Sequence, residues 1–136
     1  MPAEGGEAVQ ITKEGGRMPF ESPDGKTLYF TRLSREKGIW KVPVQGGKAS
    51  QVTGPVNDFS YVGAAEGIFY SPPPDSRRQG LIQFLSFSTG RSRTVVASDR
   101  PIAAGLSLSP DKRFLVFAQH NQDGSDLMLI ENFVAR

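Results

Sequence analysis

An all-β fold made of a repeated four-stranded unit is predicted by three features of the sequence. Residues 21–30 (ESPDGKTLYF) and 108–117 (LSPDKRFLVF) share a Ser-Pro-Asp turn followed by an apolar strand. A weaker copy lies between them at residues 61–70 (YVGAAEGIFY). The chain also has 15 Gly and 10 Pro in 136 residues, which favours short elements joined by many turns.

The strands that follow each copy repeat as well. Copies of about 40–45 residues, each with four strands, are typical of the blades of a β-propeller. The sequence therefore predicts three antiparallel blades. The third strands are expected at residues 38–42, 80–84 and 126–130, and fourth strands at 49–53 and 92–96.

The Pro23-Asp24-Gly25 turn predicts a tight hairpin closed by a glycine with positive φ. Lys112 takes the place of Gly25 in the third copy. Either Lys112 adopts a positive φ, at a cost for a residue with a Cβ, or the third hairpin has another geometry.

The blade boundaries follow from a further match, between residues 5–12 (GGEAVQIT) and 46–53 (GGKASQVT). The first segment is therefore expected to be a lone outer strand that completes another blade. The predicted organisation is a single half-propeller domain over residues 1–136. It comprises the lone strand at 1–12, blade 1 at 13–53, blade 2 at 54–97, and blade 3 at 98–136, which lacks its outer strand.

The repeat resembles the TolB-type, WD40-like (PD40-type) propeller repeat. The motifs that carry this resemblance are residues 22–30 (SPDGKTLYF), 39–43 (IWKVP), the Gly46-Gly47 pair and the terminal Val52-Thr53. The end of the chain, residues 124–133, resembles the C-terminal part of a larger bacterial propeller. The resemblance implies a non-catalytic scaffold that binds a protein or peptide. The alternative it leaves open is a sensory or gating segment of a transcriptional regulator or a prolyl oligopeptidase-like peptidase.

Three blades are fewer than the four to eight that close a propeller. An open set would leave apolar faces and strand edges in water, which favours association. We therefore expect a homodimer whose two chains form one six-bladed ring, with the leading strand of each chain completing blade 3 of the other. The rival expectation is a fragment that is continuous with further blades.

Composition excludes several other classes. The formal charge of +2 comes from interspersed residues, so no nucleic-acid partner is expected. No stretch is long and apolar enough for membrane insertion. No signal peptide begins this chain, which predicts a cytoplasmic location as written, or a periplasmic one if a longer parent carries a signal.

Neither catalysis nor a cofactor is predicted. Asp24 and Asp111 repeat in register and are explained by turn formation. His120 is the single histidine, expected to be exposed and inert, and Cys is absent, so neither a catalytic triad nor a thiolate is available. Residues 121–126 weakly resemble a calcium loop but lack its later Glu, so no metal is predicted.

Candidate ligand-binding residues lie at two places. The funnel of a propeller is the default site for a ligand or peptide. A proline-stiffened loop at residues 71–80 is the second place, as a connector or as a site for an anionic partner. The funnel candidates are Arg17, Met18, Asn57, Asp58 and Arg100, and the loop candidates are Arg77 and Arg78.

Overall fold

A computed structural model describes residues 3–32, 37–57, 59–121 and 124–131. Its described part consists of β-strands and turns and contains no helix, hence none able to cross a membrane. The strands are β1 (Arg17–Glu21), β2 (Thr27–Thr31), β3 (Ile39–Pro43), β4 (Ser50–Gln51), β5 (Tyr61–Gly63), β6 (Gly67–Tyr70), β7 (Gly80–Ser86), β8 (Ser92–Ser98), β9 (Ile102–Leu108), β10 (Phe114–His120) and β11 (Ser125–Glu131).

The strands form three antiparallel sheets in two compact units. Unit 1 (Met1–Thr53) contains sheet 1, in the order β1-β2-β3-β4. Unit 2 (Gly54–Arg136) contains sheet 2, β5-β6-β7-β8, and sheet 3, β9-β10-β11. Within each sheet, strands that are consecutive in sequence pair with each other, so each sheet is a meander. The all-β antiparallel prediction is confirmed.

Each unit has its own apolar core because side chains alternate between the two faces of a strand. In unit 1, Phe30, Trp40 and Val42 share one face of sheet 1. In unit 2, sheets 2 and 3 pack against each other, and Ile82 and Leu115 are fully buried between them. The cluster of buried side chains to which they belong comprises Ala64, Phe69, Ile82, Phe84, Ile102, Leu115 and Phe117.

The two Ser-Pro-Asp turns are built by the same hydrogen bonds. The Ser22 hydroxyl donates to Asp24 Oδ1 at 2.6 Å, and the backbone N–H of Lys26 donates to the same oxygen at 3.1 Å. In sheet 3 the Ser109 hydroxyl donates to Asp111 Oδ1 at 2.5 Å. Because these bonds stabilise the ionised form, the pKa of both carboxyl groups is below its usual value.

Lys112 adopts the positive φ that the repeat requires at its position. Its φ is 60°, close to the 68° of Gly25 in the matching turn. The third hairpin therefore keeps the geometry of the first and accepts a side chain where glycine is favoured. A left-handed conformation costs a residue with a Cβ about 1–2 kcal/mol.

We expect Lys112→Gly to raise the free energy of unfolding by about 0.5–1 kcal/mol, since relief of strain exceeds the entropy that glycine adds to the unfolded chain. Gly25→Lys is the matched reverse change and is expected to destabilise, because its Cβ would lie 3.2 Å from Glu21 Oε1 at a φ of 68°. Urea unfolding of both variants measures this. A destabilising Lys112→Gly would contradict the strain argument.

The Asp turns predict a loss of stability in acid. A carboxyl whose pKa is lowered by folding stabilises the protein above its unfolded pKa of 3.8, and that contribution disappears as the pH falls through the folded value. The double variant Asp24→Asn/Asp111→Asn keeps the turn acceptors without the titration. Melting temperatures between about pH 5 and pH 2 should fall less steeply for this variant; equal slopes would show that these turns are not responsible.

Candidate binding site

A cavity of about 1020 Å³ lies in unit 2, at one end of sheets 2 and 3. It is formed by the connections β6–β7, β8–β9 and β10–β11. Adjacent strands run in opposite directions, so alternate connections emerge at the same end of a sheet, and these three share that end. The cavity is lined by Pro74, Arg77, Arg78, Asp99, Arg100, Pro101, His120 and Asn121.

The β6–β7 loop is shaped by prolines and by one carboxylate. Three prolines at residues 72–74 restrict its first half. Asp75 Oδ1 then accepts hydrogen bonds from the backbone N–H groups of Arg77, at 2.9 Å, and Gln79, at 3.2 Å. Arg78 has a φ of 58°, which is unusual for a residue with a side chain. The loop is thus a built turn that presents two successive arginines.

A second wall of the cavity, the β8–β9 connection, is fixed by hydrogen bonds within it and to the end of β10. The Arg100 backbone N–H donates to Ser98 Oγ at 3.2 Å, and the Gln119 side-chain amide donates to the same hydroxyl oxygen. The His120 N–H donates to the Pro101 carbonyl oxygen at 3.0 Å. These bonds connect the end of β10 to the β8–β9 connection, so Arg100 and His120 lie on one wall.

Gly80 permits a close approach behind this wall. A Cβ at Gly80 would lie 2.3 Å from the carbonyl oxygen of Arg100 and 2.8 Å from the backbone nitrogen of Ile102. Any side chain would therefore push the β8–β9 connection away from β7. The position of Arg100 depends on the absence of a side chain at Gly80.

The lining of the cavity carries a positive excess. It has three guanidinium groups and one carboxylate, that of Asp99. Within the described ranges, no ion pair joins Arg77, Arg78 or Arg100 to a carboxylate. All three arginines are exposed. A guanidinium group presents paired N–H donors that match the two oxygens of a carboxylate. This arrangement suits an anionic ligand with spaced carboxylates.

The structure brings together residues that the sequence assigned to two separate places. Arg100 was a funnel candidate, whereas Arg77 and Arg78 were loop candidates, and all three line this one cavity. His120, expected to be inert, lines it too. The repeat could have predicted this grouping, because all four residues lie in or beside connections that the repeat places at the same end of the blades.

The other funnel candidates within the described residues do not line this cavity. Arg17 and Met18 lie in unit 1 at the start of β1, where the ladder has a bulge and Met18 has a φ of 51°. In unit 2 the Asn57 N–H donates to the Ser71 carbonyl oxygen at 2.8 Å. Asp58 lies outside the described residues. A funnel role for these four remains a prediction.

Acidic and histidine side chains do not gather elsewhere in the described part of the chain, where no three of His, Cys, Asp or Glu lie close enough to hold a metal ion. Asp24 and Asp111 accept hydrogen bonds inside their turns. In the turn that weakly resembles a calcium loop, the Asn121 side-chain amide donates to Asp126 Oδ2 at 2.6 Å. Asp123 lies outside the described residues.

Solved structures share this fold. A structure described as TolB from Agrobacterium tumefaciens is 17% identical, with a TM-score of 0.65, over 82% of this chain and 40% of its own. TolB from Acinetobacter baumannii is 18% identical, with a TM-score of 0.68, over 90% of this chain and 32% of its own. A protein described as a 6-phosphogluconolactonase from Bacteroides uniformis is 14% identical, with a TM-score of 0.50, over 94% and 43%.

These likenesses establish the fold. The chain has the TolB-like β-propeller fold, and sheets 1, 2 and 3 are its blades. The chain spans less than half the length of each of these structures. No family model matches the sequence, and no curated protein matches it.

Proposed function

We propose that this chain is a non-catalytic propeller scaffold that binds a protein or peptide partner, and that an acidic segment of the partner occupies the arginine-lined cavity. One observation carries the proposal: Arg77, Arg78 and Arg100 converge on one cavity from connections of two blades. The TolB-like fold supports a scaffold role.

The size of the cavity and the origin of its arginines favour an extended peptide over a small compact ligand. Its volume is about 1020 Å³, and its arginines come from two separate segments, the β6–β7 loop and the β8–β9 connection. Guanidinium groups from two segments can each pair with a different carboxylate along one chain. The prolines beside them restrict the loop before binding, which lowers the entropy lost when the partner docks.

The chemistry of the carboxylates supports a non-catalytic role. Asp24 and Asp111 are the repeated acids, and each is held in its turn by a hydroxyl and by backbone N–H groups. Acid–base catalysis needs groups that reach the same reacting atoms. These two carboxylates belong to turns in different units and serve the backbone.

Binding of a fluorescein-labelled hexaglutamate peptide tests this proposal, with hexalysine as the charge-reversed probe. We expect Arg100→Glu to raise the Kd for hexaglutamate at least about tenfold, because it removes a charge-assisted pair and adds a like charge. Fluorescence anisotropy at low and moderate salt measures the Kd. Affinity should fall as the salt concentration rises.

Arg91→Glu is the matched control. Arg91 is exposed and follows the β7–β8 turn, at the opposite end of blade 2, so the variant changes the net charge equally. The Kd of Arg91→Glu for hexaglutamate should differ from that of the wild type by less than about twofold, because the position of the charge matters and not only the net charge. Equal weakening by both variants, or no binding of hexaglutamate, would overturn the proposed site.

A further inference from the structure

In the described part of the chain, strand β11 leaves one edge of blade 3 unpaired. Sheet 3 has the order β11-β10-β9, so within the described residues β11 pairs on one side, whereas the corresponding strand β3 has β4 on its outer side. Leu127 and Leu129 of β11 are 80% and 60% exposed. An unpaired strand edge with exposed leucines is a ready template for another strand.

A segment of this chain has the sequence of such an outer strand: residues 5–12 match residues 46–53. In blade 1, the matched segment binds β3 through defined hydrogen bonds. The Val52 N–H donates to the Ile39 carbonyl oxygen at 2.8 Å, and the Ile39 N–H donates to Thr53 Oγ1 at 2.9 Å. Residues 5–12 form no strand, and Val9 is 76% exposed.

The ladders define which residues are equivalent between blades. Each first strand ends opposite Leu28, Ile68 or Leu115 of the second strand, so these three are equivalent. Counting along the ladders makes Ile39 equivalent to Leu127. The same counting finds further residues that occupy equivalent positions in different blades, and the match of residues 5–12 to 46–53 adds Ile11. These equivalent residues are Phe30 and Phe117; Trp40 and Met128; Phe69 and Val116; Ile82 and Leu127; Phe84 and Leu129; and Ile11, Val52 and Val95.

Ile11 already lies where an outer strand of a preceding blade would lie. In unit 2 the outer strand of blade 2 supplies Val95, which packs against the core that includes Phe117 of blade 3. In unit 1, Ile11 packs against the equivalent face of blade 1, at Phe30. The leading segment thus repeats, on blade 1, the contact that one blade makes with the next.

The interface between blades 2 and 3 also shows what the exposed leucines of β11 should contact. Ile82 and Phe84 of blade 2 are buried against the Phe117 face of blade 3. Their equivalents Leu127 and Leu129 lie on the other face of blade 3 and are exposed. Continuation of the same interface would place those leucines against a face like that of blade 1, which carries Trp40.

We propose that residues 8–12 of a second copy of this chain add to the β11 edge as the outer strand of blade 3. The same copy then covers Leu127 and Leu129 with its own blade 1. The register follows from blade 1: Gln10 of one copy lies opposite Met128 of the other, as Gln51 lies opposite Trp40. The Leu127 N–H donates to Thr12 Oγ1, as the Ile39 N–H donates to Thr53.

Blade 1 has room for the leucines. A cavity of about 330 Å³ in unit 1 lies beside Trp40 and Val42 and is bordered by Ile11. The Arg32 guanidinium lies 3.9 Å from the centre of the Trp40 ring and pairs with Glu14 at 2.9 Å. Apolar side chains of the second copy would fill this space. Two such exchanges related by a two-fold axis make a closed pair.

Disulfide trapping tests the register, since the chain has no cysteine of its own. Opposed residues of an antiparallel pair lie within disulfide range. Mixing the single variants Gln10→Cys and Met128→Cys should give a cross-linked species of twice the 14.8 kDa chain mass on a non-reducing gel. Gln10→Cys mixed with Leu129→Cys, which points to the other face, is the control and should cross-link far less.

Analytical ultracentrifugation tests the association itself. The wild type should be a dimer, and Leu127→Glu/Leu129→Glu should weaken dimerisation at least about a hundredfold without loss of folding, because both side chains are exposed in one chain. Thr12→Val should weaken it about tenfold, whereas Thr53→Val should lower stability instead. A monomeric wild type, or a disulfide formed within one chain of the double variant Gln10→Cys/Met128→Cys, would overturn the proposal.

Discussion

Alternation of side chains along short antiparallel strands is the constraint on which this molecule depends. Every blade that uses both faces for apolar side chains needs a neighbour on each side. In unit 2, one face of blade 2 packs against one face of blade 3, which buries Phe69, Ile82 and Phe84 against Leu115 and Phe117. Blade 1 has a similar apolar face, on which Ile11 of the leading segment packs, whereas Leu127 and Leu129 of β11 are exposed.

The repeat made most of the architecture predictable. Residues such as Phe30 and Phe117 recur at fixed distances from a Ser-Pro-Asp turn, and local hydrogen bonds fix that turn. The sequence left two geometries open for the turn at Lys112. The reason is that lysine disfavours a positive φ, whereas the register of the whole hairpin requires one. The structure shows that the hairpin register prevails.

The candidate site was less accessible to sequence reasoning. Arg77 and Arg78 stood out for their proline-rich loop, but their proximity to Arg100 depends on how two blades pack. That packing places the β8–β9 connection beside the end of β10 through Ser98 and Gln119. Contacts of this kind join residues distant in sequence and have no local pattern.

The residue that shapes the cavity, Gly80, is different from the arginines that a partner would contact. The glycine sets the path of the backbone behind Arg100, whereas the arginine side chains are exposed. Surface changes at Arg77 or Arg78 therefore cost the fold little. A lineage could exchange them for neutral or acidic residues and acquire partners of another charge on an unaltered framework, whereas replacement of Gly80 would reshape the pocket for every partner at once.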